Sequence, residues 1–388
     1  MNIIIRSIGM EHIGLKMFVI LTLLVSLIGC KESKSEEINI GYIGPLSKRA
    51  TDLGIGPSNA LQLAVDQYNA SRSDDALKVN LFIEDDQWEK DNALPAYHKL
   101  RKEHDIDIVY ISNTDGTIAL QDAILKDQVI LINPLNSDAL LSSLNQNTFK
   151  IAKATEEANG LIAIRIIELG LKKVLVLTYP NDYMSRAATS CKSLLDNVGV
   201  ENKVTLVGKD ETDFKDELQT AKDAGVDAYV FFGYKEFGFA MKQARDLGIE
   251  APFFGSTVLL DPEFFSNSEG TIIGTECSFF TPADGNYVLA DEFMDSYKNK
   301  FGSSPVSVWP AMQAYDAMNM VLQEIANITE TKNRNEAFDD WLRNRLFDIS
   351  YYQGVCGNIS IAEDGASRGI YFSLYQYASE GKLSKVRR

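Results

Sequence analysis

Asp85 and Asp86 stand side by side after the apolar run Val79–Ile83, and they are the first candidates for chemistry in this chain. Paired carboxylates can move protons, but acids at a strand end more often cap the helix that follows. Nothing else needed for catalysis accompanies them. There is no nucleophile elbow and no glycine-rich phosphate loop. Of three histidines, His12 lies in an N-terminal apolar stretch, and His98 and His104 sit in a Lys/Arg-rich segment that reads as a solvated helix face. Cys30, Cys191, Cys277 and Cys356 have no zinc-site spacing. The pattern points away from an enzyme, and no cofactor is expected. Six polar stretches suit hydrogen bonding of a small molecule: Ser47–Arg49, Ser112–Thr117, Asn136–Asp138, Tyr179–Tyr183, Gly233–Glu236 and Gly255–Thr257. Each taken alone is equally an ordinary surface loop.

These stretches recur because each follows a predicted strand. Strands are expected at 38–43, 79–83, 108–111 and 129–132, with helices at 59–69, from Asp86 through Leu100, and at 118–125 between and after them. The rhythm then restarts: helix 156–169, strand 174–177, helices 185–195 and 214–224, strand 228–232 and helix 237–247. Alternation of this kind implies right-handed βαβ crossovers and parallel sheets. Two blocks imply an α/β chain of two doubly wound parallel-sheet lobes. Residues 286–326 read as helix-rich. The runs 357–361 and 369–377 read as a strand pair turning at Asp364 and Gly365.

Composition bounds the partners. The chain has 388 residues, of which 45% are hydrophobic, enough for a sizeable core, and its formal net charge is −16. That acidity argues against nucleic acid and against binding to an anionic membrane surface through charge.

The stretch Met17–Cys30 (MFVILTLLVSLIGC) is apolar, is preceded by Arg6 and Lys16, and is too short to span a bilayer. It resembles a bacterial lipoprotein signal peptide whose cysteine, here Cys30, receives the lipid. An ordinary secretory signal is the alternative. The resemblance implies a leader at 1–29, a charged tether at 30–37, a mature chain near −17, and a body anchored by lipid at the periplasm or cell surface. It leaves an odd number of cysteines.

The segments Ile40–Ser47 (IGYIGPLS), Leu53–Gly54, Ala60–Val65, Ile83–Asp86, Asn181–Tyr183, Thr212–Phe214, Met241–Gly248, Ala314–Ala317, Tyr352–Gly357 and Leu374–Gln376 follow one another in an order that resembles the branched-chain-amino-acid-type substrate-binding proteins of ABC transporters, the type I periplasmic binding proteins. The resemblance implies two lobes joined by three crossing strands, near Ile151, Phe280 and Gly354. Residues 38–152 plus 281–352 would form the N-terminal lobe, and 153–280 plus 353–388 the C-terminal lobe. Cys277 and Cys356 would lie near the hinge, as a disulfide or as two separate buried thiols. The ligand would sit between the lobes, touching Ser47, Thr114, Asp115, Asn136, Ser137, Tyr183, Tyr234 and Thr257. Partners implied are a small molecule, an inner-membrane ABC permease and the membrane through the lipid.

Two positions depart from the amino-acid-binding pattern. Where relatives hold a carboxylate on a Ser-Ser-Gly turn, this chain has Thr114, Asp115 and Gly116. Asp115 is expected to cap the helix and to put negative charge where a carboxylate would sit. Where relatives carry an acid for the ammonium group, this chain has Thr257. One reading is altered polarity, with Asp115 on a cationic or amide group and Lys48 or Arg49 on an anion; the favoured reading of the two cations is that they are merely solvated. Tyr183, Tyr234 and Trp309 are candidate aromatic walls, although Trp309, which with Pro310 starts a helix, is equally read as core packing. Trp88 replaces a small residue and has no assigned role. A sensory or regulatory lipoprotein acting through a protein partner is the second class.

Overall fold

The computed structural model describes residues 37–73, 76–137, 141, 144–153, 155–180, 182–208, 210–280, 287–330, 337–370 and 372–386. The leader, Cys30 and the tether up to residue 36 lie outside them, as do Asp138 and Asn181. Two sheets carry the fold. The first has five strands: β1 (Glu37–Gly44), β2 (Lys78–Asp85), β3 (Ile108–Ile111), β4 (Ile130–Asn133) and β5 (Thr148–Lys150). All are parallel, in the order β2-β1-β3-β4-β5.

Strands β3 and β4 are buried at every position, as strands covered by helices on both faces should be. Their side chains divide by the two-residue period. Ile108, Tyr110, Ile130 and Ile132 join the core beneath helices Ile55–Ser71 and Val308–Ala326. Val109, Ile111 and Leu131 join the opposite core, beneath helix Lys90–His104.

The second sheet begins with β6 (Lys173–Thr178), β7 (Glu201–Leu206), β8 (Ala228–Phe232), β9 (Phe253–Gly255) and β10 (Glu276–Phe280). Next in the chain come β11 (Tyr352–Gly354), β12 (Gly357–Ile361) and β13 (Ser367–Ile370), a small antiparallel sheet of their own. The last strands, β14 (Phe372–Ser379) and β15 (Lys382–Lys385), complete the second sheet, whose order is β15-β14-β10-β9-β8-β6-β7. Its β6–β10 members are parallel, and β14 and β15 run antiparallel at one edge.

The strand pair expected at 357–361 and 369–377 is only partly realised. Strand β12 does pair with β13 across the Asp364–Gly365 turn, but the second run divides between β13 and β14, in different sheets. The chain therefore passes between the sheets after Ile370, downstream of Gly354. Val355, Cys356, Ile359 and Ile361 pack with the first sheet's core, and Ile370 touches both cores. Beside this passage the end of β5 meets the chain again: Ser367 Oγ donates to the Ala152 carbonyl (2.8 Å), and the Lys150 N–H donates to Gly365 O (2.8 Å).

Two further differences have local causes. The helix expected at 118–125 is two short helices, Thr114–Ala119 and Gln121–Asp127, joined at Leu120. Strand β7 escapes the periodicity because it is a polar edge strand whose residues are partly or fully exposed. Cys191, Cys277 and Cys356 are three separate buried thiols: Cys277 lies in the second sheet's core and Cys356 in the first.

The loop after β1 shows how tightly the first lobe's rim is built. Tyr42 Oη, fully buried, donates to Gly54 O (3.1 Å) and shares a hydrogen bond with Ser112 Oγ (2.9 Å). A Cβ at Gly54 would lie 1.9 Å from Pro45 O. Because the obstacle is backbone, Gly54→Ala is expected to cost about 3 kcal/mol, the upper end for overpacking. Urea denaturation would show it as a lower midpoint at unchanged slope.

Candidate ligand cleft

In doubly wound sheets the crevice opens at the carboxyl ends of the strands, where the strand order reverses. In the first sheet that point is between β1 and β3, so the loops 45–54 and 112–117 border it. In the second it is between β6 and β8, bordered by the loop from Tyr179 and by Gly233–Glu236. The two carboxyl edges face each other. Leu53, Leu135 and Trp309 come from the first lobe but pack in the second sheet's core, with Ala50 and Trp88 against it. Burial pushes the Tyr234 hydroxyl up to about 12, with Arg49 lowering it and Asp52 and Glu236 raising it further, so residues of both lobes act on this phenol.

The first-lobe rim is held by the acid pair. Asp85 Oδ1 accepts from the N–H groups of Leu46 (2.9 Å) and Gln87 (2.8 Å), and its Oδ2 accepts from Ser47 Oγ (2.5 Å). Burial pushes the Asp85 carboxyl up, but these donors outweigh it and hold it below the usual carboxylate range. Asp86 is fully buried, and its Oδ1 accepts from the Trp88 N–H at 2.9 Å. Burial raises this carboxyl to about 6, against the Trp88 N–H and the Asn113 side chain and with the Asp85 charge. Together the acids hold Gln87 and Trp88 in left-handed backbone, φ 56° and 62°. Strain of this kind persists only where its surroundings over-determine it, and here it turns Trp88 towards the second lobe.

Asn113, not Asp115, caps the helix Thr114–Ala119. Its side-chain oxygen accepts from the N–H groups of Asp115 (3.0 Å) and Gly116 (3.1 Å). Asp115 sits one residue inside the helix, partly exposed. The expectation that Asp115 caps is corrected because Asn113 keeps the extended backbone, φ −78° and ψ 122°, that an N-cap requires. Asn113→Ala should lower stability by about 1 kcal/mol, seen as faster amide exchange at residues 115 and 116.

The other expected site residues fall as follows. Thr114 and Asn136 are both buried and joined, Asn136 Nδ2 donating to Thr114 Oγ1 at 3.1 Å. Ser137 is buried beside them; its N–H donates to Lys153 O (3.0 Å) and its Oγ has no hydrogen-bond partner. Ser47 is exposed, with its hydroxyl committed to Asp85. Tyr234 stacks on Tyr179, centroids 5.9 Å apart and planes 12° apart, and Tyr179 stacks in turn on Phe237. Tyr183 lies in the first turn of helix Asp182–Asn197 and Thr257 opens the short turn Thr257–Leu260; their side chains lie outside the described residues.

Sequence reasoning missed several groups. Glu236 Oε2 accepts from Tyr179 Oη at 3.1 Å, which puts a carboxylate beside the stacked tyrosines where Thr257 offers none. Its signal was its place two residues after Tyr234 in a strand-end loop. Lys153, buried, holds its ammonium 4.1 Å over the Trp309 ring. Ser256, just after β9, has a buried Oγ without a partner. Among the described residues no group of His, Cys, Asp or Glu could hold a metal ion, and no helix is long and apolar enough to cross a membrane.

Two facing, parallel, doubly wound lobes with a cleft at their switch points define a two-lobed binding protein. A family model described as periplasmic binding protein matches residues 37–378, and the chain belongs to that family. Its solved relatives share the fold at low identity. One is a leucine binding protein from Thermotoga maritima (18% identity, TM-score 0.78, covering 90% of this chain and 98% of that one). Another is the branched-chain amino acid transporter substrate binding protein of Streptococcus pneumoniae in complex with isoleucine (24%, 0.74, 90% and 98%). A third is a solute binding protein of an ABC transporter from Rhodopseudomonas palustris in complex with 3,4-dihydroxybenzoic acid (19%, 0.76, 90% and 96%). No curated protein sequence matches the chain. The family is one of periplasmic, non-enzymatic solute-binding proteins.

Proposed function

We propose that this chain is a lipid-anchored, extracytoplasmic solute-binding protein that takes a small polar ligand, an amino acid, amide or related compound, between its lobes and delivers it to an ABC permease in the inner membrane. Closure about the crossing strands excludes water, and exclusion of water strengthens each polar contact inside. The observation that carries this reading is that both switch points open on one cleft, furnished with stacked tyrosines, a carboxylate and buried hydroxyls. The stated ligands of the relatives, isoleucine and 3,4-dihydroxybenzoic acid, are of the size such a cleft suits. In this reading Thr114, Asn136, Ser137, Tyr183, Tyr234 and Thr257 line the ligand, while Ser47 and Asp115 hold its rim. The lobes divide as 38–152 plus 281–352 and 153–280 plus 353–388. The packing of 355–361 favours moving that segment to the first lobe.

Cys30 carries the lipid, and Cys30→Ser should release the protein from the membrane fraction. The ligand is sought by a thermal-shift screen of protein beginning at Lys31, against amino acids, amides, urea, polyamines, nucleosides and small aromatic acids. A ligand at a hundred times its Kd stabilises the native state by about 2.7 kcal/mol. A saturable rise with one class is the expected result. No rise with any member, in folded ligand-free protein, would favour a regulatory or sensory lipoprotein that acts through a protein partner.

A further inference from the structure

We propose that the first-lobe side of the cleft is a seat for a nitrogen donor, an ammonium or a primary amide, and that it rejects a carboxylate; this rests on the solute-binding reading above. An anion at this place would need free N–H donors at the start of helix Thr114–Ala119. The Asn113 side-chain oxygen already accepts two of them, at 3.0 and 3.1 Å, and Asn113 is 5% exposed. The Thr117 N–H donates to the Asn113 carbonyl (2.9 Å). The chain has put its own neutral oxygen where an anion would go.

Behind it the chemistry is that of acceptors. Asp86 is fully buried; its Oδ1 takes the Trp88 N–H, its carboxylate is bonded by the Asn113 side chain, and its Oδ2 has no hydrogen-bond partner. An unpaired buried carboxylate oxygen is costly, and the neighbouring charge acting on it, Asp85, has the same sign. Ser137 Oγ, next in sequence to Asn136 of the Thr114–Asn136 pair, is another buried oxygen without a partner. A ligand N–H group that reached either oxygen would satisfy it, whereas a carboxylate would meet Asp86 with like charge. A site built for a donor discriminates strongly against an analogue that lacks it, because its own polar groups are then left unpaired.

Matched pairs test this by calorimetry on the protein beginning at Lys31: L-isoleucine with L-isoleucinamide, benzoate with benzamide, and 4-aminobutyrate with putrescine. The expected result is at least tenfold tighter binding of the carboxylate-free member of whichever pair binds. Asp86→Asn should narrow that preference. Ser137→Ala, which leaves the acid pair intact, should weaken the same member. Tighter binding of the carboxylate member overturns the inference and leaves the solute-binding reading standing. An equal affinity within every pair that binds overturns it likewise. Binding of neither member of any pair overturns the inference, and if the wider ligand screen is also blank the solute-binding reading falls with it.

Discussion

Replacing Asp316 by asparagine is expected to lessen a fall in stability that the wild-type protein shows as pH rises from 5 to 7. Asp316 lies on helix Val308–Ala326, 1% exposed, and its two oxygens accept from the N–H groups of Val355 and Cys356, both at 2.8 Å. It thereby holds the turn between β11 and β12. A Cβ at Gly354 would lie 2.5 Å from that carboxylate, so glycine is required for so close an approach. Burial raises the Asp316 carboxyl to about 7, against the opposing pull of the Val355 and Cys356 N–H groups and the Cys356 thiol.

The folded state therefore binds this proton more tightly than the unfolded chain, whose value is 3.8. Its stabilisation is complete below the unfolded value and is lost as pH rises towards 7. Two of those units fall between pH 5 and 7 and correspond to about 3 kcal/mol. Asparagine cannot ionise, so its contribution is flat. It also turns a donor towards one of the two N–H groups, which costs about 1–3 kcal/mol at every pH. Melting temperatures at pH 5 and 8 should thus show wild type clearly ahead at pH 5 and the gap narrowed or reversed at pH 8. Asp86, raised to about 6, acts in the same direction, and Asp85 and Asp364, whose carboxyls are held low, in the opposite one, but each acts equally in both proteins. A constant gap would show that Asp316 is ionised throughout.

Trp309→Ala is the second large effect. Trp309 belongs to a first-lobe helix yet is buried, at 4% exposure, in the second sheet's core. Truncating a buried tryptophan costs about 3–5 kcal/mol. Here the loss falls on the contact between lobes. The variant should melt lower, and its ligand-free radius of gyration should rise in X-ray scattering. Trp341, which packs against the first lobe's core, is the control: Trp341→Phe should not expand the molecule. A Trp309→Ala protein that melts lower without expanding would confine the residue to local packing.

Much of the fold was legible because the strands sit between helices. Runs such as Ile108–Ile111 and Ala228–Phe232 are apolar at successive positions and bounded by polar turns. What escaped was set by tertiary contacts. Strand β7 is polar because it is an edge, and the break after Ile370 lies inside a run that reads as one strand. The site divides in the same way. Tyr234 could be chosen from its place after a strand. The capping role went to Asp115 rather than Asn113 because both residue types cap helices, and only the backbone angles separate them. Glu236 was hidden by an expectation attached to Thr257, and the stack of Tyr179 on Tyr234 depends on β6 and β8 being neighbours in the sheet.

The mechanism turns on ligand being held between the lobes by closure. Small-angle X-ray scattering, with and without the ligand found by the thermal screen, tests it most directly, on wild type and Tyr234→Ala. Wild type should contract on saturation, and Tyr234→Ala should need much more ligand to do so. A ligand that raises the melting temperature without contracting the protein, and equally well in Tyr234→Ala, would contradict it and put the binding site elsewhere.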